Sequence, residues 1–461
     1  MHSGQSLRRD AIAVWQAGVA AVDSRTLVRD SVKVTSGQLD ICGRVFAVAG
    51  LRHIEVVGAG KAGTGMAAGL LDALQPLENR VSVDGWVNVP EDCVQLLDVQ
   101  SLSSIHLHGA RPAGVNEPTA AAVAGTQEIL RRIRRLGPDD LCVVLISGGG
   151  SALLPCPAPL ITLDEKIALT RFLAASGAPI QHLNLIRTQL SEVKGGGLLR
   201  NCRAGQLVTL IISDVIGDPP EIIASGPTVL TTSTAHEALE LLKTFDPDGT
   251  QISPSVYRSL DQQKSTETDP AGWPVFDNFI IGSNRTAVRA ANLQAQSLGY
   301  ETLDLGSANV GEARFHGAEF FRRMCAERTS RRVDGNGLCL LSGGETTVHL
   351  NSAEPPGRGG RNQEVVLGAV AAFPDADSWN GMALLSGGTD GEDGPTDAAG
   401  AVADRALLEE MHRRGLVPED YLRNNNSYPF FEQLNGLLKT GPTHTNVMDL
   451  AVGLVAGEGS L

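Results

Sequence analysis

The chain has 461 residues, a formal net charge of −14, 42% hydrophobic, 20% charged and 4% aromatic residues, and 52 glycines. That length exceeds what one hydrophobic core organises and sets an expectation of two domains of roughly 200 residues each, while the composition is that of a soluble α/β enzyme with many tight turns. The acidic balance argues against general nucleic-acid or anionic-membrane binding, because neutralising phosphates requires a basic face.

In chain order, Ile12, Trp15, Val19 and Val22 share one helical face, so the N-terminus reads as an amphipathic helix rather than a signal peptide. The run IEVVG then enters Gly58-x-Gly60-x-x-Gly63, a strand-to-helix turn of the kind that lets helix N-terminal amides approach a phosphate. The acidic ribose partner of a dinucleotide turn is not in place, because Asp84 falls inside the next strand, VSVDGWVNV. Lys61 instead sets a positive charge among the glycines, which suits a transferring phosphoryl group.

SSIHLH, LCVVLIS and QLVTLIIS continue the strand pattern, with helical segments between them, so βαβ units and a mostly parallel sheet are expected. His106 and His108 in SSIHLH lack a third ligand and read as structural. The longest charge-free stretch, 141–163, holds three consecutive glycines and three prolines, which excludes a membrane helix. A capping box, Thr162-x-x-Glu165, opens a helix ending near Gly177. Arg187 and Lys194 stand seven apart, the spacing of one helical face, and could bind an anion. Asp214 follows an apolar strand as a candidate Mg²⁺ anchor.

The polar segment 246–273 lacks apolar periodicity and marks a linker between a Rossmann-like domain over 1–245 and a second α/β domain over 274–461. An apolar strand running into Ser-Gly-Gly occurs three times, at Ser147-Gly148-Gly149, Ser342-Gly343-Gly344-Glu345 and Ser386-Gly387-Gly388. Such turns at strand C-terminal ends are where open parallel sheets bind ligands. Arg358 and Arg361 flank two glycines ahead of a helix and are expected to face one anion, with Asp390 in the acidic loop that follows. The seven cysteines form no CxxC unit and read as reduced thiols of a cytoplasmic protein. Glycine turns, cations and isolated carboxylates are the equipment of phosphoryl transfer. An NAD(P)H-dependent hydroxypyruvate reductase, suggested by the first glycine turn, and a non-catalytic sugar-phosphate sensor are the alternatives.

Read together, GAGKAG, LSEVKGGGLL, ISDVIGDPPEIIASGPT, IGSNRTA, SGGETTV, GRGGRNQE, GGTDGEDGPTDAAGA and TGPTHTNVMDL resemble the type II glycerate kinases, or glycerate 2-kinases, whose C-terminal part is the MOFRL domain. The resemblance runs from about residue 58 to 450. It implies a larger Rossmann-like N-terminal domain, a smaller C-terminal α/β domain and an active site between them, with ATP-dependent phosphorylation of D-glycerate at the 2-hydroxyl and a requirement for Mg²⁺. It further implies that Lys61 and Arg361 are catalytic, that Gly60, Ser147, Gly148, Gly149, Arg187, Lys194, Arg285 and Arg358 bind substrate or phosphate, and that Asp214, Asp390, Gly343, Gly344 and Glu345 serve nucleotide and metal, Asp214 as metal ligand. Small-molecule partners only, and a monomer or homodimer, are expected. Where many members carry His-Pro-x-Pro-Asp, this chain reads His108-Gly-Ala-Arg111-Pro, so Arg111 offers an additional anion contact.

Overall fold

The computed structural model describes residues 4–95, 104–112, 117–263, 272–330, 337–350 and 357–457. It divides into two compact units, one of residues 24–213 and 218–281, the other of 1–23, 214–217 and 282–461.

The first unit carries a three-stranded antiparallel sheet, β1 (Val32–Thr35), β2 (Gln38–Ile41) and β3 (Arg44–Ala47), and a six-stranded sheet. The six strands are β4 (His53–Ala59), β5 (Ser82–Pro90), β6 (Ile105–Arg111), β7 (Asp140–Ile146), β8 (Gln206–Ile212) and β9 (Val275–Gly282). Their spatial order is β6-β5-β4-β7-β8-β9, and the ladders from β6 through β8 are parallel. In order of appearance this is 3-2-1-4-5-6, the doubly wound arrangement expected of a Rossmann-like domain. All seven positions of β7 are buried, which explains its unbroken apolar run, since a central parallel strand is covered on both faces. The Thr162 capping box is formed and starts the helix Leu163–Ala175.

The chain divides differently from the sequence boundary. The segment 246–273 holds a helix, Pro254–Gln262, whose Val256 and Leu260 join the hydrophobic cluster of Leu169, Leu173, Ile186 and Leu242. β9 beyond it then completes the first sheet, so the first unit extends to residue 281. Residues 264–271 lie outside the described residues.

The second unit has a sheet of β10 (Glu301–Asp304), β11 (Leu338–Gly344), β12 (Met382–Gly388), β13 (Gly400–Asp404), β14 (Leu437–Leu438) and β15 (Asp449–Val455), in the order β10-β11-β15-β12-β13-β14. Strands β10 and β11 pair in parallel, and β15 runs antiparallel between β11 and β12. One face is covered by the helices Gly4–Ala20 and Asn284–Ser297, through Leu7, Ala11, Val14, Trp15, Val288, Ala291 and Ala295. The expected amphipathic first helix is therefore a layer of the second unit, and Trp15 donates its indole N–H to the Gly387 carbonyl at 3.1 Å. The other face is covered by the helices Ala313–Ser330, Arg361–Ala372 and Arg405–Arg414. Among the described residues no helix is long and apolar enough to cross a membrane.

Candidate active-site residues

In the first sheet the strand order reverses between β4 and β7, whose last residues, Ala59 and Ile146, are paired. Connections leave this point on opposite faces of the sheet, so it opens a crevice at the strand C-terminal ends. The two turns there are Gly60 to Gly63 and Ser147 to Gly149. Ser147 N–H donates to the Ala59 carbonyl, Lys61 N–H donates to the Gly148 carbonyl at 2.9 Å, and Ser147 Oγ accepts from Ala62 N–H at 3.1 Å. Gly60 has φ +152°, and a β-carbon there would lie 2.0 Å from Ser147 Oγ, so the two turns interlock only with glycine. Gly60, Lys61, Ser147, Gly148 and Gly149 are thus brought together.

Arg111, at the end of β6, reaches the same place: a β-carbon on Gly149 would lie 3.1 Å from its Nη2 and 3.6 Å from Lys61 Cγ. Its side chain is buried, and burial lowers its pKa while Asp92 opposes the shift. Residues 113–116 of this divergent segment lie outside the described residues. The His106 and His108 rings lie tilted beside Trp86, with ring centroids 4.1 and 5.1 Å away.

Arg187 and Lys194 do not share a helical face. The helix Ile180–Gln189 ends before Lys194, which sits in a turn with Gly195 and Gly196 at φ +55° and +80°. Their charges remain close enough to repel each other, and Lys194, buried, donates from Nζ to Ser225 Oγ at 3.1 Å.

In the second unit the two C-terminal Ser-Gly-Gly turns flank one residue. Because β15 runs antiparallel between β11 and β12, its first residue, Asp449, pairs with Gly344 on one side and Gly388 on the other. Arg361, the first residue of the helix Arg361–Ala372, grips Asp449 with two bonds, Nε to Oδ2 at 2.6 Å and Nη2 to Oδ1 at 3.0 Å, and its Nη1 lies 2.8 Å from Glu345 Oε1. Burial works against the Arg361 charge, but Asp449 and then Glu345 overcome it and raise its pKa. Asn362 also donates to Asp449, at 2.9 Å, and accepts from Ser386 Oγ at 2.7 Å. Sequence reasoning missed Asp449 as a site residue, although it lies in the quoted TGPTHTNVMDL.

Glu345 is pushed up by partial burial and, against the pull of Arg361, by the negative charges of Asp449, Asp214 and Asp390. These carboxylates therefore share one neighbourhood, with Asp214 and Asp390 both half-buried. Among the described residues no three His, Cys, Asp or Glu side chains converge as a ready metal cage. Mg²⁺ held by one or two carboxylates plus nucleotide phosphates needs no such cage, so this donor set fits it.

Two expected site residues lie apart from this grouping. Arg358 is exposed and stacks over Tyr428 at 3.8 Å, 3.7 Å from Asp397, instead of turning toward the anion expected for Arg361. The helix starts only at Arg361, so the two arginines are not on one helical surface. Arg285 is exposed on the helix Asn284–Ser297. Its neighbour Asn284 is the inward residue, donating to the Val447 and Asp449 carbonyls at 2.8 Å each.

Asp393 holds the helix that carries Arg361. Its carboxylate accepts from Asn362 N–H at 2.9 Å and Gln363 N–H at 2.8 Å. Burial pushes its pKa up to about 7, against those two amides, with Asp449 adding to the rise and Arg361 opposing it. The native state thus keeps a proton that the unfolded chain releases at about 3.8. The resulting stability is complete below pH 3.8 and is lost as pH rises through about 7. Asp393→Asn is expected to remove that decline and, by leaving one helix amide without its acceptor, to cost about 1–3 kcal/mol. Urea unfolding across a pH series measures both effects.

Comparison with known proteins accounts for both units. Residues 10–261 match the model for a domain of unknown function designated DUF4147, and residues 338–449 match the MOFRL family model. A rat protein named glycerate kinase is 37% identical over 98% of this chain and 93% of its own length. A Pyrococcus horikoshii protein named glycerate 2-kinase is 33% identical over 98% of both chains. The crystal structure of a Thermotoga maritima glycerate kinase superposes with a TM-score of 0.81 at 30% identity, covering 98% of this chain and all of that one. With both domain models matched in order and relatives aligned along its whole length, the chain belongs to the glycerate kinase family formed of a DUF4147 and a MOFRL domain.

Proposed function

We propose that this chain transfers the γ-phosphoryl group of ATP to the 2-hydroxyl of D-glycerate, giving 2-phosphoglycerate and ADP, with Mg²⁺ as the divalent ion. The observation that carries the reading is the interlocked pair of glycine turns at the switch point of the first sheet, with Lys61 set between them. The names of the full-length relatives support the glycerate kinase reaction, and the P. horikoshii relative supports the 2-position.

In the reaction the 2-hydroxyl oxygen forms a bond to the γ-phosphorus, the bond to the leaving oxygen of ADP breaks, and the hydroxyl proton is released. Such a transfer asks the protein for positioning and charge rather than covalent chemistry. Lys61, with Arg111 beside it, supplies positive charge at turns whose backbone suits phosphate oxygens. Arg361 supplies a second cation, oriented by Asp449. Glu345, Asp214 and Asp390 are the groups that would hold Mg²⁺, which when bound neutralises phosphate charge. Arg187 and Lys194 add positive charge in the first unit, and Gly343 and Gly344 allow close backbone approach. Arg285 and Arg358 contribute from the surface of the second unit. A cytoplasmic setting and a monomer or homodimer complete the proposal.

The test is ADP release from ATP and Mg²⁺ over a panel of small hydroxy acids, with the phosphorylated carbon read by phosphorus NMR. D-glycerate is expected to be the substrate and C2 the phosphorylated position. Absence of ADP release with D-glycerate overturns the reading, and NADH oxidation by hydroxypyruvate without ATP replaces it with the reductase.

A further inference from the structure

Two stretches of the first unit, LSEVKGGGLL and IIASGPT, meet at a turn whose backbone is strained. Ala224 and Ser225 stand at φ +51° and +63°, two consecutive non-glycine residues in the left-handed region, and Gly226 follows at +58°. Such a run persists only where its surroundings impose it, and it gathers at functional sites. Here the surroundings include bonds from the other stretch. Gly195 N–H donates to the Ser225 carbonyl at 2.9 Å, Gly196 N–H to the Gly226 carbonyl at 2.7 Å, and Leu198 N–H to the Pro227 carbonyl at 3.1 Å.

The strained turn presents one oxygen. Ser225 is buried; its Oγ accepts from Lys194 Nζ at 3.1 Å and shares a second bond with Ser151 Oγ, also at 3.1 Å. Lys194 Nζ reaches on to the Ser151 carbonyl at 3.4 Å. Lys194 itself is 2% exposed, and burial, then Arg187 and Lys166, push its pKa down. A buried amine with positive neighbours depends on the acceptors placed against it, and Ser225 Oγ and the Ser151 carbonyl are such acceptors.

Ser151 is where these bonds meet the Lys61 turn. It lies in the short helix Gly150–Leu153, which leaves Ser147-Gly148-Gly149, and the Gly148 carbonyl accepts from Lys61 N–H. Packing makes the same link. A β-carbon on Gly150 would lie 2.8 Å from Ala224 Cβ and 3.4 Å from the Ala59 carbonyl oxygen, so Gly150 is held between the strained turn and the end of β4.

We propose that Ser225 is a positioning residue for phosphoryl transfer, its hydroxyl fixing Lys194 Nζ against Ser151 and so setting the Ser147–Ser151 turn to which the Lys61 turn is bonded. Ser225 acts through Lys194 and touches no reacting atom, and its role rests on the kinase reading.

Steady-state kinetics of ATP-dependent D-glycerate phosphorylation, with thermal unfolding of the same full-length proteins, test it in Ser225→Gly and Ser225→Ala. Both variants remove the hydroxyl, but glycine is at ease at φ +63° and alanine is not, so Ser225→Gly should unfold at the higher temperature. The two are nevertheless expected to lose kcat alike, by about tenfold to a hundredfold, with the KM for ATP nearly unchanged. A turn that served folding alone would make the rate follow stability, with Ser225→Gly close to wild type. Lys194→Met, which removes the amine, gives the second comparison. Adding Ser225→Gly to it should cost no further kcat, because the hydroxyl acts through Lys194. A kcat for Ser225→Gly within about threefold of wild type, or full additivity of Ser225→Gly and Lys194→Met, overturns the proposal. A wild type that releases no ADP with D-glycerate overturns the kinase reading and this role with it, whereas an active wild type beside an unimpaired Ser225→Gly overturns this role alone.

Discussion

Lys61→Ala is expected to lower kcat for ATP-dependent D-glycerate phosphorylation at least about a hundredfold, the loss typical of removing one preorganised charge-stabilising group. The turn that carries this side chain is held by its own backbone contacts. Its shape is set by Lys61 N–H on the Gly148 carbonyl, Ala62 N–H on Ser147 Oγ, and the glycine at position 60. The side chain is half-buried, so truncation removes charge while leaving the core of β4 and β7 intact. Thermal unfolding of the variant should therefore stay close to wild type, which separates a catalytic loss from a folding loss. Lys61→Arg should not restore the rate. The guanidinium is larger and planar, and Arg111 already occupies the space beside Gly149. A kcat within tenfold of wild type in Lys61→Ala, with the fold retained, would remove Lys61 from the reaction.

The first sheet was readable in the sequence because its strands are buried runs. IEVVG, VSVDGWVNV, LCVVLIS and QLVTLIIS became β4, β5, β7 and β8, and the IHLH of SSIHLH became the start of β6. Which strands lie side by side was not readable. The meeting of the Lys61 and Ser147 turns depends on β4 pairing with β7 across more than 80 residues, a tertiary choice that no local period records. The second unit shows the limit more sharply. A parallel sheet was the natural reading of recurring strand and Ser-Gly-Gly units, yet β15 enters between two of them in the opposite direction. That reversal puts Asp449 between both turns and 88 residues from its partner Arg361, where spacing carries no signal.

Local spacing also misled where the backbone changed state. Arg358 and Arg361 looked like one anion clamp, but a helix begins at the second of them, and the first finds Tyr428. Arg187 and Lys194 looked like one helical face, but the helix stops at Gln189, and Lys194 lies beyond it, at the head of a glycine turn. The segment around 254–262 looked like linker because its apolar residues are few. Two of them, Val256 and Leu260, stand four apart and suffice to seat a short helix on the core. In each case the residue types were right for charge or burial, and the conformation between them decided what they touch.

Arg361→Ala is the second substitution with a large expected effect, and unlike the first it should reduce both rate and stability. Arg361 is the cation facing Asp449 and Glu345, and Asp214 and Asp390 raise the negative charge around Glu345. Its removal leaves the buried Asp449 without its bidentate partner. Breaking a fully buried pair costs about 3–5 kcal/mol, and the partial exposure of Arg361 puts this one nearer 2–3 kcal/mol. If Arg361 also stabilises charge on the transferring phosphoryl group, kcat falls at least about a hundredfold in addition. Arg361→Lys separates the two effects. A lysine keeps the charge and part of the pairing, so stability should largely recover, but it cannot hold Asp449 with two parallel bonds and still present a third nitrogen. The rate should therefore stay low. Asp449→Asn completes the comparison, since it keeps the shape of the partner and removes its charge. If Asp449 orients Arg361, this variant should lose kcat with little change in the KM for ATP, and combining it with Arg361→Ala should cost less than the sum of the two alone. Full additivity of the two losses, measured by kcat and by urea unfolding, would show that the pair does not act as a unit.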